Sequence, residues 1–501
     1  MNIGKMIDDL VAVFNPQAAC RRQAYRSIYG AGGYDGANIT RKDTIVKPSN
    51  AIAENDNAMA RAMLRDKARD LEKNSDMVAS MIQSITSNVI GSSLNVQSRS
   101  QDKEFNKLIE ELFAEWCYHE NCDISETQSF NEILEMAVTR WIVDGGIMLV
   151  TSIDKASKFG LKIQIREVDD IDESEDTFNV KNGNRVVHGI EINQYGKPIR
   201  YYLKVHKAGT LENYEVEKIP AKRVHFLWTR KRATQYREVT NLHTSIVSLG
   251  DLADFRNALA FQQKAAACTQ AFIECDANTM PGRPVNTQDG KRIHDLQAGT
   301  ITYLKPGEHL KPFIPVGQAA QADAYVISEQ RMIAAAMGLS LESATRNVER
   351  VNYSSARQNL LADQKTYNKI RAFLYEHLLR PLFAEFVDAC YLKGLLRGTK
   401  YTPDNEDYYK CMWLSEGTPW IDPKKEAEAD AIRLANGGLS FKRYCADRGE
   451  DWQERIDDMA EVQEYAKSKG VELNYIVQNE SMKQESEDTS NGGNEETGSD
   501  T

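Results

Sequence analysis

Residues 321–394 read QADAYVISEQRMIAAAMGLSLESATRNVERVNYSSARQNLLADQKTYNKIRAFLYEHLLRPLFAEFVDACYLKG. The first twenty residues have helical composition, and the break LESATRNVERVN, 341–352, is rich in Arg, Asn, Glu and Ser. After it Leu360, Leu361, Tyr367, Ile370, Leu374, His377 and Leu378 recur at helical spacing as one apolar stripe. The stripe makes His377 a packed core histidine. Pro381 removes a backbone donor and clashes with the turn before it, which predicts a bend there. Leu382, Phe386 and Cys390 carry the stripe on to Gly394. A polar loop held between two long helices is a contact element projected from a rigid frame.

Working outward, Ile246, Leu249, Leu252, Phe255, Leu259 and Ala266 predict a helix over 245–273. At about 1.5 Å per residue this is a rod of roughly 43 Å. A small β-unit over 276–316, with Ile301 and Tyr303 before the turn Lys305-Pro306-Gly307, separates it from a second helix starting near Ala319. Two long helices around a compact insertion suggest a stalk with a cap. Toward the N-terminus, 27–58 is Gly- and Asn-rich and reads as an irregular arm; its glycines lack the GK[ST] of a phosphate loop. Two helices follow over 59–89, parted at Asn74 or Ser75, then helices at 101–119 and 128–143 and a strand, Ile147 to Thr151. From 160 to 229 the period becomes two, and Ile190 and Ile192 face Ile199, Tyr201 and Leu203 across the turn Asn193–Gly196. Residues 419–470 carry three further helices, the first opening at Asp422-Pro423 and ending at Gly437-Gly438.

The chain has 501 residues, enough for several structural regions, with 41% apolar and 27% charged residues, the balance of a globular protein. It holds no run of about 18 apolar residues, and its N-terminus does not read as a signal peptide. Net charge is −11; residues 478–501 carry −6 of it, leaving −5 for the rest. That tail has almost nothing apolar to bury, Met482 aside, and reads as disordered. An acidic chain is not an ordinary DNA binder, although it could surround DNA without adhering to it. The eight cysteines are dispersed, which suits reduced thiols. Cys117, His119 and Cys122 lack a second Cys/His pair at zinc spacing and read as packing beside Trp116. The acidic run 167–176 could be imagined as a metal-dependent nuclease site, but no His or Lys completes it, so solvated carboxylates are the simpler reading. There is no Walker loop and no Ser-His-Asp, HExxH or Cys-His arrangement at motif spacing.

Ten short segments occur in an order that resembles the portal proteins of lambda-type tailed bacteriophages. They are LRDKARDL (64–71) with Asn74, VIG (89–91), Trp116 with Cys122-Asp123, DGG (144–146), HGIE (188–191), Gly196 with Tyr201-Tyr202, IPA (219–221), LKPGE (304–308), NYSSAR (352–357) and Asp422-Pro423. One departure stands out. Such proteins continue after the IPA segment into an Arg-Gly pair, whereas Gln235-Tyr236-Arg237-Glu238 has no glycine here.

The resemblance implies an α+β portal fold assembled as a ring, typically of twelve subunits. Its parts would be an N-terminal arm (1–54), an α/β wing (55–245, β-rich over 160–230), stem helices at 246–275 and 319–338, and a small α/β clip at 276–318. A tunnel loop (339–352), a long kinked wing helix (353–393), a helical crown (394–470) and an acidic tail (471–501) would complete it. Arg346, Asn347 and Arg350 would be the DNA-contacting residues, or else solvated groups with their charge balanced by Glu342 and Glu349. Implied partners are double-stranded DNA bound without sequence preference, the terminase large subunit, major capsid and scaffolding proteins, and head-completion or adaptor proteins. The implied role is a DNA channel at one capsid vertex, with assembly in the host cytoplasm, no cofactor and no catalysis. The alternatives are a metal-dependent enzyme on nucleic acid using 167–176, or another adaptor ring of the virion.

Overall fold

A computed structural model describes residues 52–471 apart from 93, 175, 177–182, 207–213, 268–270, 276–286, 289–290, 293–307, 313–318, 350–351 and 416–422. The chain divides into two compact units, 1–62 with 230–237, and 63–229 with 238–501.

In the first unit the described residues are 52–62 and 230–237. Helix α1 (Ala53–Asn74) opens there. Glu54 is buried, pairs with Arg61, and accepts hydrogen bonds from the backbone N–H of Tyr236 (2.7 Å) and Arg237 (3.1 Å). The Ala53 N–H donates to the Thr234 hydroxyl at 3.0 Å, and the Gln235 amide donates to the Arg237 carbonyl at 2.9 Å. The segment that lacks the expected glycine is therefore organised by a buried carboxylate. The irregular reading of 27–58 ran too far, because helix begins at Ala53.

In the second unit α1 ends at Asn74, and Ser75 caps α2 (Asp76–Val89) by accepting from the Val78 N–H. Next come β1 (Leu94–Ser98), α3 (Lys103–Trp116), a single turn α4 (His119–Cys122), and α5 (Phe130–Val143), whose start is a capping box of Ser129 and Glu132. Strands β2 (Gly146–Ile153) and β3 (Leu161–Arg166) lead to a meander of β4 (Arg185–Val187), β5 (Ile190–Ile192), β6 (Pro198–His206) and β7 (Tyr214–Pro220), followed by β8 (Val224–Trp228). One sheet has the order β3-β2-β8 and the other β4-β5-β6-β7, both antiparallel. The expected hairpin is present, with Ile190 opposite Tyr201 and the turn closed by the Asn193 carbonyl accepting from the Gly196 N–H at 2.9 Å.

Helix α6 (Ile246–Ala267) is shorter than the 246–275 reading, because Ala271–Cys275 is a strand, β9. Phe272 and Ile273 are an aromatic and a β-branched residue, types that suit a strand as well as a helix. Pairing with β12 (Glu308–Pro312) decides between them. The two-residue strands β10 (Thr287–Gln288) and β11 (Lys291–Arg292) form a small hairpin between the two. The Ile301–Tyr303 alternation and its turn lie outside the described residues, as does the acidic tail beyond Val471.

Helix α7 (Ala319–Ala336), the short α8 (Leu341–Thr345), and α9 (Tyr353–Leu374) follow. Between α9 and α10 (Arg380–Leu392), Tyr375–Leu379 widens into a π-helical turn, closed by the Arg380 N–H reaching the Tyr375 carbonyl. The widening sits directly before Pro381 and relieves the clash of its ring with the carbonyl four residues back. His377 does not belong to the core. It is exposed on this turn and lies 4.7 Å from the Phe373 ring, centre to centre. Leu361 is likewise 56% exposed.

Phe113 sits at the centre of the aromatic core, within 6.2 Å of the rings of Trp116, Phe130, Phe383, Phe386 and Trp413. The Trp116 indole N–H donates to the Leu161 carbonyl at 2.9 Å, joining helix to sheet. Strand β13 (Cys411–Ser415) pairs with β1, and Leu396, Tyr401 and Tyr408 bury into this same core. The segment 394–415 is thus continuous with the body formed by 63–229, rather than the opening of a separate helical region. Helices α11 (Pro423–Ala435), α12 (Phe441–Ala446) and α13 (Trp452–Ser468) complete the described chain.

Candidate nucleic-acid interface

The candidate segment starts where α7 stops. Gly338 takes φ +74°, and a β-carbon there would meet the Thr366 side chain at 3.0–3.2 Å. The Thr366 hydroxyl donates to the Gly338 carbonyl at 2.7 Å, so α9 touches the turn directly. Ser340 then caps α8 by accepting from the Ser343 N–H. The break at 341–352 is therefore not wholly irregular; its first five residues are helical.

Asp363 of α9 anchors this turn. It is 2% exposed. Its carboxylate accepts from the Ser340 N–H (2.8 Å), the Ser340 hydroxyl (2.6 Å) and the Ser343 hydroxyl (2.5 Å). Tyr367, one turn along, reaches the Ser84 hydroxyl of α2 at 3.2 Å, and burial raises its phenol above the ordinary value. Ala344 is buried as α8 packs on α2. The Glu342 carboxylate accepts from the Asn359 amide at 2.9 Å.

Beyond that anchored turn the chain is exposed. Arg346 adopts φ +56°, ψ +22°, the left-handed cap position, and its backbone N–H donates to the Glu342 carbonyl. Arg346 and Asn347 are both exposed, and Val348 is 69% exposed. The Asn347 side-chain oxygen accepts from the Glu349 N–H at 3.0 Å. Arg350 lies outside the described residues. Asn352 closes the segment by capping α9, accepting from the Ser355 N–H at 2.9 Å. The arrangement presents a guanidinium and an amide, both exposed, from a turn anchored by Asp363.

The supporting residues Asp363, Ser343 and Thr366 were not singled out from sequence. A signal existed: Asp363 is four residues before Tyr367 on a face otherwise apolar, and an acid in such a row needs donors close by.

The acidic run 167–176 resolves differently from a metal site. Asp169 accepts from Arg65 and Arg69 at 2.6 Å each, Glu167 from Arg69 at 3.3 Å, and Asp170 from Arg166 at 2.7 Å. Arg69 also holds Asp144 with two bonds, 2.7 and 3.1 Å, and Arg65 reaches the buried Glu238 at 3.3 Å. The hydrogen bond to Asp144, with its charge, raises the Arg69 pKa against the desolvation that opposes it. Glu167 and Asp169 are thus counterions for α1 and Asp170 for β3, while Glu173 and Asp176 each lie 3.4 Å from His188 Nδ1. Among the described residues no group of three or more His, Cys, Asp or Glu side chains is placed to hold a metal ion. Cys122 is buried, its thiol near the carbonyls of Cys117 and Gln128, and burial pushes its pKa up to about 12.

The model of the lambda family of phage portal proteins matches residues 40–371. A probable portal protein of Halomonas phage phiHAP-1 is 28% identical over 337 residues, spanning 66% of this chain and 64% of the relative. Portal protein B of Escherichia phage lambda is 21% identical over 393 residues, 70% of this chain and 72% of the relative. Among solved structures, a chain in the virion of a native gene transfer agent particle aligns with TM-score 0.43 and 12% identity, over 79% of this chain and 99% of that one. The matched region runs from before α1 into α9 and so takes in the two sheets, both long helices and the Arg346 segment. This chain belongs to the lambda family of phage portal proteins.

Proposed function

We propose that the chain assembles into a ring of about twelve subunits at one vertex of a phage capsid, and that DNA enters and leaves through the channel of that ring. The terminase large subunit would drive packaging. Major capsid and scaffolding proteins would seat the ring during assembly in the host cytoplasm, and head-completion or adaptor proteins would bind it afterwards. On this reading the chain is a structural conduit and not a catalyst.

The observation that carries the reading is the exposed pair Arg346 and Asn347 on a turn clamped by buried Asp363 between two long helices. Arg350, four residues on, is proposed as the third contact. A conduit needs contacts that are weak and blind to sequence, because base readout would stall the duplex and dense cationic lining would hold it. A screened surface ion pair gives roughly 0–1 kcal/mol. Repeated around a ring, such terms centre the DNA without trapping it.

The test has two stages. Electron micrographs of purified protein should show rings with a channel of about duplex width; a population made only of monomers would reject the assembly. Arg346→Ala with Arg350→Ala should then leave rings intact while altering packaged DNA length or leakage. Unchanged packaging and retention would remove these arginines from the mechanism.

A further inference from the structure

A cleft of about 960 Å³ lies between the end of β2, the start of β3, the turn Ala221–Arg223 and α10. Leu161, Val224, Pro381 and Ala389 wall it, and Ile153 and Leu392 stand at its mouth, 73% and 79% exposed. Two acids line it. Asp388 accepts from the Tyr401 and Tyr409 hydroxyls at 3.1 and 2.7 Å, and Glu385 lies 3.2 Å from Nε2 of buried His225. Against them stand four cations, Lys155, Lys222, Arg223 and Lys393. Arg223 donates to the Thr151 carbonyl at 2.9 Å, and Lys393 to those of Lys155 and Ser157 at 2.8 and 2.6 Å. None of the four is in an ion pair among the described residues. Next to the rim, Lys158 is paired with Glu115, and Asp154 accepts from the Ala156 N–H at 2.9 Å. The lining thus carries four cations and two acids, net +2 without His225, around an apolar floor.

The complement of this surface is in the chain itself. Residues 472–501 open with Glu472-Leu473-Asn474-Tyr475-Ile476-Val477 and hold eight acids and one lysine, net −7. Their starting point is close by. Asp451, Glu454 and Asp458 of α13 line a groove together with Ala114, Cys117 and Tyr118 at the end of α3. Glu115, among these α3 residues, pairs with Lys158 of the β2–β3 turn, whose Lys155 and Gly160 line the cleft. Helix α13 and the cleft therefore border the same end of α3. From Val471, 51% exposed, six residues lead to Val477, about 20 Å when extended.

We propose that the tail docks on its own chain, with Leu473, Tyr475 and Val477 in the apolar cleft and the acids from Glu480 onward against Lys155, Lys222, Arg223 and Lys393. Exposed apolar residues facing each other across a cleft mark a contact surface. Surface ion pairs are weak singly, but tethering holds the tail at an effective concentration of about millimolar, so a shallow anchor with several screened charges suffices. The docking is a property of one chain and holds whether or not rings form.

Trypsin reads it directly, because Lys483 is the only lysine or arginine after Lys469. In the full-length protein, release of 484–501 should be about fivefold slower than from a synthetic peptide of residues 471–501. Lys155→Glu with Lys222→Glu, and separately Tyr475→Asp with Val477→Asp, should each bring the rate up to that of the peptide. Salt at about 0.5 M should remove most of the protection. Equal rates for wild type, both variants and free peptide would overturn the docking. A chain ending at Val471, co-expressed with the full-length Lys155→Glu, Lys222→Glu chain, separates own tail from neighbour's. The tail of the reversed chain should stay fast to cut; its protection by the intact cleft of the other chain would overturn docking within one chain. Melting temperatures check that each variant is folded, and the Tyr475, Val477 pair decides the matter even if the cleft pair does not fold.

Discussion

Asp363 and Ser340 lie twenty-three residues apart in sequence and are joined twice, through the Ser340 N–H at 2.8 Å and its hydroxyl at 2.6 Å. Ser340 is also the cap of α8, so one carboxylate on α9 sets both where that helix begins and the direction in which Arg346 leaves it. A side chain buried in the frame thus controls an exposed contact residue that it does not touch.

Replacing Asp363 by alanine should therefore do more than remove a charge. Two serine hydroxyls and an amide lose their acceptor in a buried setting, which costs about 2 kcal/mol or more. The expected result is a lower urea midpoint and faster proteolytic cutting near Arg346, read from wild type and variant side by side. An unchanged cutting rate would mean that the turn is held by the packing of Ala344 and by the Thr366–Gly338 and Asn359–Glu342 hydrogen bonds.

Arg346 separates conformation from charge. At φ +56° a non-glycine residue is strained, so Arg346→Gly should raise stability by roughly 0.5–1 kcal/mol while deleting the guanidinium. Arg346→Ala deletes the same group and keeps the strain. If both alter DNA retention equally but differ in melting temperature, the charge governs retention; if retention follows stability, it does not.

Glu110 supplies a pH dependence. Burial raises its carboxyl to about 7, with Asp451 and Glu454 adding to the rise, while the Ser98 N–H and Arg99 oppose it. The folded value lies above the unfolded one, so its contribution is fully present below about 4.5 and is lost as pH rises to about 7. Glu110→Gln should flatten the stability profile across that window, measured by thermal melts from pH 4.5 to 8. A wild-type-minus-variant difference that stays constant with pH would rule out this titration.

Gly145 should tolerate no side chain. It takes φ +87°, and a β-carbon would fall 2.3–2.6 Å from the backbone of Val239 and Thr240. Main chain cannot swing aside as a lysine tip can. Gly145→Ala should lose at least several kcal/mol and appear mostly as insoluble protein, whereas Gly183→Ala, with open space around it, should cost only its own backbone strain.

Much of the architecture was legible because its signals are local. Ser75, Ser129, Ser340 and Asn352 cap the helices they precede, and the Asn193–Gly196 turn carries the hairpin register. What escaped depends on partners far along the chain. Ala271–Cys275 could extend α6 until β12 is known to pair with it. The acidic run could hold a metal until Arg65 and Arg69, about a hundred residues away, are seen to reach it. His377 obeys helical spacing for the core, but the π-helical turn rotates it outward.

That same turn bears on ancestry. A π-helical turn is an α-helix carrying one surplus residue, and the surplus here is tied to Pro381. Deleting a residue of α9 would rotate everything beyond it by about 100° and pull Phe383 and Phe386 out of the core. A deletion within Tyr375–Leu379 would instead restore an ordinary helix, but only if the proline went too. In an alignment of relatives, then, a one-residue gap at this place and the loss of Pro381 should be inherited together.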